Sequence, residues 1–218
     1  MGDFMRLKYV KDAKEQIANA PDLILDIPRG THTLLNQIVP SEMPIEVEIG
    51  AGKGQFIHQL SQQQPGIFHI AFEKFDGAII KALHKCQETP RNNVLLIRAD
   101  AENIVDFFTP NSVEKIYLNF SDPWPKARHE KRRLTNQKFL NQYKTILKQN
   151  GSLVIKTDNR HLFEYSLIQM NACMQFEFIS LDLHADDIKA NIVTEFEKKH
   201  APYGPIYTIK AQFKEDNQ

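Results

Sequence analysis

Five acids recur at positions that invite chemistry. Glu48, Glu73, Asp100, Asp122 and Asp158 each close, or stand within two residues of closing, a short apolar run. The runs are IEVEIG at 45–50, FHIAFE at 68–73, VLLIRAD at 94–100, KIYLNFSD at 115–122 and SLVIKTD at 152–158. One acid at the end of a run is ordinary solvated backbone; five in succession form a set. Behind the first of them lies Gly50-Ala51-Gly52-Lys53-Gly54. Alternating glycines let the backbone turn tightly and let a ligand come close. A helix that starts there adds unpaired N–H groups. The bland alternative is a plain strand-to-helix turn. The dinucleotide fingerprint GxGxxG needs its third glycine at position 55, and that residue is Gln55.

A second constellation is the stretch YLNFSDPWPKARHEKRRLT, from Tyr117 to Thr135. Pro123 and Pro125 each bias the residue before them toward extended backbone, so Asp122 and Trp124 are expected in a stiff turn. Lys126, Arg128, His129, Lys131, Arg132 and Arg133 then crowd together with a single acid, Glu130. Such a run is often a solvated face, and a lone tryptophan is often core. Across the whole chain, however, Lys plus Arg equals Asp plus Glu at 27 each. The cations are therefore a local patch, and a local patch beside a ligand edge suits a phosphate-bearing substrate.

The glycine loop, with Glu48 two residues ahead of it, suits a nucleoside ligand that lacks a pyrophosphate. S-adenosylmethionine, a nucleoside with an amino-acid tail and a sulfonium, fits that description. On this reading Glu48 lies near the ligand's positive charge. Glu73 stands where an acid takes ribose hydroxyls in the dinucleotide version, and Asp100 accepts from the adenine amino group. There is no HExxH, CxxC or GxSxG pattern, so neither a metal site nor a serine or cysteine nucleophile is indicated.

The elements that must position these groups follow from the rhythm of the chain. From Pro44 onward, strand-like runs alternate with stretches of helical spacing, such as Phe56, Ile57 and Leu60, or Phe139, Tyr143 and Leu147. Strand–helix alternation predicts an α/β fold with a mostly parallel sheet covered on both faces. FEFISLD at 176–182 and IYTIKAQF at 206–213 predict an antiparallel C-terminal edge pair. In such sheets ligands bind beyond the carboxyl ends of the strands, where the five acids stand. Residues 1–43, broken by Pro21, Pro28 and Pro40, read as an N-terminal extension without a clear core role; residues 44–218 read as the main domain. Glu46 shares a strand face with Glu48 and has no evident task there. The length of 218 residues suits one domain. Two separated cysteines and the lack of a signal-like or membrane-length apolar run predict a cytoplasmic protein.

Taken together, EIGAGKGQF, LNFSDPWPKARHEKRRLT, IKTDN and TEFEKKHAPYGPIY resemble the bacterial tRNA (guanine-7-)-methyltransferases over roughly residues 44–210. The DPWPK plus RHEKRR segment and the TEFE segment are far more specific than the glycine loop. The resemblance implies a Rossmann-like class I methyltransferase fold, S-adenosylmethionine as cofactor, and methylation of a variable-loop guanine in tRNA. It implies cofactor contacts at Glu48, Gly50, Gly52, Gly54, Glu73, Asp100 and Asp122, with Asp122 also catalytic. RNA contact then falls on Lys126, Arg128, Lys131, Arg132 and Arg133, and substrate contact on Asp158 and on Thr194, Glu195, Phe196 and Glu197. The N-terminal MRLKYVKDAK departs from the Arg-rich, tryptophan-bearing start that members often carry. The expected partner is tRNA, with the protein a monomer or homodimer. Three rivals are a nicotinamide-dependent oxidoreductase, a non-catalytic RNA-binding module, and a methyltransferase acting on a protein or small molecule.

Overall fold

The apolar runs are rich in Ile, Val, Leu and Phe, residues that fit a pleated surface, and each becomes a strand. The computed structural model describes residues 10–40, 42–186 and 191–215. Its strands are β1 (Ile24–Asp26), β2 (Ile45–Ile49), β3 (Phe68–Phe72), β4 (Val94–Arg98), β5 (Val113–Asn119), β6 (Leu147–Thr157), β7 (Met174–Ser180) and β8 (Tyr207–Phe213). The helices are α1 (Ala13–Ala18), α2 (Gln55–Gln63), α3 (Asp76–Glu88), α4 (Gln137–Ile146), α5 (Arg160–Asn171) and α6 (Glu195–His200). One eight-stranded sheet runs in the order β1-β4-β3-β2-β5-β6-β8-β7. β8 runs antiparallel to both β6 and β7, and the other pairings are parallel. Mostly parallel, with an antiparallel C-terminal pair, is the architecture the sequence pattern predicts.

Each face of the sheet has its own core. Phe139, Leu140 and Tyr143 of α4 and Phe163 and Met170 of α5 pack with Val47, Ile70, Ile116 and Ile155. Ile17 of α1, Phe56, Ile57 and Leu60 of α2, and Ile79, Ile80 and Leu83 of α3 pack with Ala71, Leu96 and Tyr117. All five residues of β2 and of β3 are buried, as central parallel strands require. β2 lies between β3 and β5, where the winding of the sheet reverses direction. In open sheets of this kind ligands bind at such a reversal, here beyond the carboxyl ends of β2 and β5.

Two expectations change here. Part of the 1–43 segment does have a core role. Ile24 pairs with Leu96 to add β1 as an edge strand, and Leu35 and Val39 are buried in the larger core. Intervening prolines hid this, because a three-residue strand is too short to show a period. Glu46 also has a task. Its carboxylate is 2% exposed and accepts from Lys115 Nζ and Tyr117 Oη, both at 2.8 Å. The partners come from β5, so only the strand pairing reveals why an acid is tolerated in a central strand.

Candidate functional site

The glycine loop leaves β2 at the reversal point. Gly50 and Ala51 donate backbone N–H bonds to Phe72 O at 2.8 and 2.9 Å, which lashes the loop to β3. Gly52 has φ +57, a left-handed conformation that side chains resist. Gly54 answers a different demand. A Cβ there would lie 2.6 Å from Ala82 Cβ, so this glycine lets α2 close on α3.

Glu48 is 2% exposed. Its Oε1 accepts from Asn119 Nδ2 at 2.9 Å, and its Oε2 is buried with no hydrogen-bond partner among the described residues. Burial pushes the Glu48 carboxyl up to about 7, against the opposing pull of Asn119 and Lys156. Asn119 Oδ1 is a second buried acceptor without a partner among the described residues. Two unanswered acceptors beside a glycine loop are a place for a ligand's donors or positive charge, because buried polar groups are otherwise almost always paired. The residues therefore fit the cationic amino-acid end of S-adenosylmethionine.

Glu73 stands one strand over. It accepts from Gly52 N at 3.0 Å and Phe75 N at 2.9 Å, and so joins the loop to the end of β3. Burial raises its carboxyl pKa, with those backbone bonds opposing. Each oxygen keeps a lone pair for a hydroxyl. Asp100, after β4, is half exposed; its Oδ1 caps the next turn through Glu102 N at 3.1 Å, and Lys74 Nζ lies 3.4 Å from Oδ2.

Asp122 is exposed beyond β5 and has no hydrogen bond or ion pair among the described residues. The Pro-Trp-Pro turn after it departs from expectation. Trp124 has φ +42 instead of an extended backbone. Arg133 explains how this is held: Nε donates to Pro123 O at 3.1 Å, and Nη2 donates to Trp124 O at 3.1 Å. Its guanidinium also lies 4.3 Å from the Tyr165 ring centre. Arg133 is thus committed to the loop's own shape. Arg132 lies 4.8 Å over the indole and remains exposed. The side chains of Lys126, Arg128 and Lys131 are exposed, with no hydrogen bond or ion pair among the described residues.

The Thr194–Glu197 segment divides in two. Thr194 and Glu197 form a capping box: Thr194 Oγ1 accepts from Glu197 N at 2.9 Å, and Glu197 Oε2 accepts from Thr194 N at 3.3 Å. Glu197 is fully buried and accepts from Lys156 Nζ at 2.8 Å and Asn191 Nδ2 at 2.6 Å. That leaves it a structural anchor in this conformation. Glu195 pairs with Lys85 at 3.0 Å and with Lys53 of the glycine loop at 3.2 Å. Partial burial pulls its carboxyl up, yet the two lysines hold it below the usual range. Phe196 lies against Phe120, just beyond β5. Its ring centre is 4.8 Å from that of Phe120, and His200 stacks on it at 3.9 Å. His200 Nδ1 in turn lies 3.6 Å from Asp158 Oδ2. Asp158 and Phe196 are therefore brought together, through a histidine that motif reading did not select.

Asn119, Lys156, Phe120 and His200 were all missed. Asn119 and Lys156 carried one signal: each is polar inside an otherwise apolar run. Among the described residues, no cluster of three or more metal-ligating side chains occurs, and no helix is long and apolar enough to cross a membrane.

Comparison with known proteins bears on this arrangement. A family model described as "Putative methyltransferase" matches residues 42–206. The chain is 40% identical to the tRNA (guanine-N(7)-)-methyltransferase of Bacillus subtilis over 96% of this chain and 100% of that protein. It is 44% identical to the protein of the same name from Lactiplantibacillus plantarum, over 96% of this chain and 99% of that one. Among solved structures, a 16S rRNA methyltransferase, KamB, superposes with a TM-score of 0.59 at 13% identity, covering 80% of this chain and 90% of that one. A 16S rRNA (adenine(1408)-N(1))-methyltransferase from Catenulisporales acidiphilia, solved with its cosubstrate SAM, gives 0.57 at 9% identity, over 82% and 89%. At such identities these two speak to the fold alone, which is that of the Rossmann-like methyltransferases.

Proposed function

The chain belongs to the tRNA (guanine-N(7)-)-methyltransferase family, and from that premise we propose that it methylates nitrogen 7 of a variable-loop guanine in tRNA, with S-adenosylmethionine as donor. The observation that carries the donor is the buried, partnerless Oε2 of Glu48 beside the glycine loop. When bound, S-adenosylmethionine supplies an electrophilic methyl group. The chain's residues do the rest. Glu48 meets the cationic end of the donor, Glu73 accepts from the ribose, and Gly50 and Gly52 keep the loop low enough for close approach.

Guanine nitrogen 7 has an in-plane lone pair and no proton, so the reaction needs no general base. It needs alignment, and it needs negative charge near the purine, which becomes cationic as the methyl arrives. Asp122 suits that role because, among the described residues, no cation pairs with it. Asp158 can accept from the guanine edge, with Phe196 as a flat neighbour for the base. Lys126, Arg128, Lys131 and Arg132 suit the phosphate backbone, Arg132 being held over the Trp124 ring.

The test is transfer of label from methyl-labelled S-adenosylmethionine to bulk tRNA, followed by digestion to nucleosides. Labelled 7-methylguanosine is expected. Label in any other nucleoside, or none in RNA, overturns the reading.

A further inference from the structure

Lys156 is a cation in the interior. Its side chain is 5% exposed. Removing an ammonium from water costs several kcal/mol, and Nζ recovers part of this with three hydrogen bonds. It donates to Glu197 Oε2 at 2.8 Å, to Ile192 O at 2.8 Å and to Asn191 Oδ1 at 3.0 Å. It also lies 5.3 Å from the centre of the Phe56 ring. An apolar pair of similar volume would commonly serve stability as well or better. The charge therefore needs a reason other than stability.

The sheet register supplies one. Lys156 on β6 is the pairing partner of Asn119 on β5, so their side chains share a face. Asn119 Nδ2 holds Glu48 Oε1. A row of three side chains thus crosses the sheet from the donor acid to Lys156, and Glu197 joins it from α6. Among the described residues, the groups that act on the Glu48 charge are Asn119 from β5, Lys156 from β6, Glu73 beyond β3 and the Ile57 backbone of α2, and of these Lys156 is the cation. The groups facing Lys156 are Glu197, Asn191, Ile192 O and Phe56, with His184 Nε2 3.1 Å from the other oxygen of Glu197.

We propose that Lys156 is a positioning residue that joins the two halves of the site: it seats the 191–197 segment on the sheet, and its charge favours the ionised form of Glu48 for a cationic donor. The proposal rests on the methyl-transfer reading above. It predicts that loss of the charge disturbs donor binding in a pH-dependent way that mere loss of packing would not. Glu48 must be ionised to meet the donor. Lys156 favours the ionised form, so removing it raises the Glu48 pKa, and affinity begins to fail at higher pH.

The experiment compares wild type, Lys156→Met, Lys156→Arg and the doubly apolar Lys156→Met/Glu197→Leu. S-adenosylmethionine affinity is measured by calorimetry across pH, and methylation of tRNA by steady-state kinetics. In both Met-bearing variants the midpoint of the affinity–pH curve should rise by about one pH unit. Their kcat should fall about tenfold or more through misplacement of the segment, with a smaller change in the KM for tRNA. Lys156→Arg should keep the wild-type midpoint. An unmoved midpoint in the Met variants, or one moved equally by Arg, overturns the proposal; so does a wild-type kcat in the double variant. If the wild type binds the donor and methylates no RNA, the substrate reading fails, while the midpoint comparison still decides the role of Lys156.

Discussion

Replacing Glu48 with Gln should make the free protein more stable and its donor binding worse. The carboxyl ordinarily titrates near 4.5 and is pushed up to about 7 by burial. Between those two values the folded state holds a proton that the unfolded chain has released. Stability therefore falls as pH rises from about 4.5 through 7, and above that the full cost is carried. At roughly 1.4 kcal/mol per pH unit the gap amounts to about 3 kcal/mol, an upper bound because the interior can relax. Glu48→Gln removes the charge and replaces a buried, partnerless acceptor with a donor. At pH 8 the variant should gain up to about 3 kcal/mol; at about 2–4 °C per kcal/mol for a chain of this size, Tm rises by up to roughly 10 °C. At pH 5 the two proteins should melt nearly together. Donor affinity should drop about thirtyfold, the worth of one hydrogen bond to a charged partner. The assay is a melting series from pH 5 to 8.5, with calorimetric titration of S-adenosylmethionine at pH 8. Equal melting curves at every pH, or undiminished donor affinity, would refute the reasoning.

Asp122→Asn keeps shape and removes charge, so single-turnover methylation should slow while tRNA affinity, read by filter binding, stays near wild type; an unchanged rate means that Asp122 does not act on the purine. Changing Lys126, Arg128, Lys131 and Arg132 together to Ala should weaken tRNA binding and flatten its log–log salt dependence by roughly 0.7–0.9 for each phosphate no longer neutralised, with donor affinity preserved; a wild-type slope marks the cations as a solvated face. Glu197→Ala strands a buried ammonium and opens the capping box, so thermal melting should show a loss of about 3–5 kcal/mol in addition to any loss of activity; an unshifted Tm contradicts the anchoring role.

Much of the sheet was legible because its signal is periodic and local. Runs such as VLLIR and FHIAF are long and apolar enough to mark strands, and Pro44 and the glycine loop bracket β2 clearly. β1 was not legible, since three residues carry no period, and its identity depends on pairing with β4. Glu46, Asn119 and Lys156 share that difficulty. Each is a polar residue in an apolar strand, and its purpose appears only when the neighbouring strand is laid beside it at the right register. The Pro-Trp-Pro turn misled for a related reason. Local sterics favour extended backbone at Trp124, but an arginine nine residues later holds two carbonyls and overrides them.

The distribution of cations separates the acids into two groups, and this explains why the TEFE motif and the strand-end acids should behave differently. Lys53 and Lys85 are committed to Glu195, and Lys156 donates to Glu197. Those carboxylates are occupied, and their variants should report first on the seating of α6. Among the described residues, Glu48 Oε2 and Asp122 at the strand ends have no hydrogen-bond or ion-pair partner, and Asp100 and Asp158 each have one longer contact with a basic side chain, at 3.4 and 3.6 Å. Leaving the buried Glu48 carboxylate unanswered is costly for the free protein, and its raised pKa is where that cost is visible. On the proposed reading that cost is offset when positive charge arrives, first with a sulfonium donor and then as charge develops on the methylated purine. A site that needs no proton transfer can be built this way, from uncompensated acids at the sheet edge and a cationic loop alongside to hold the polyanion.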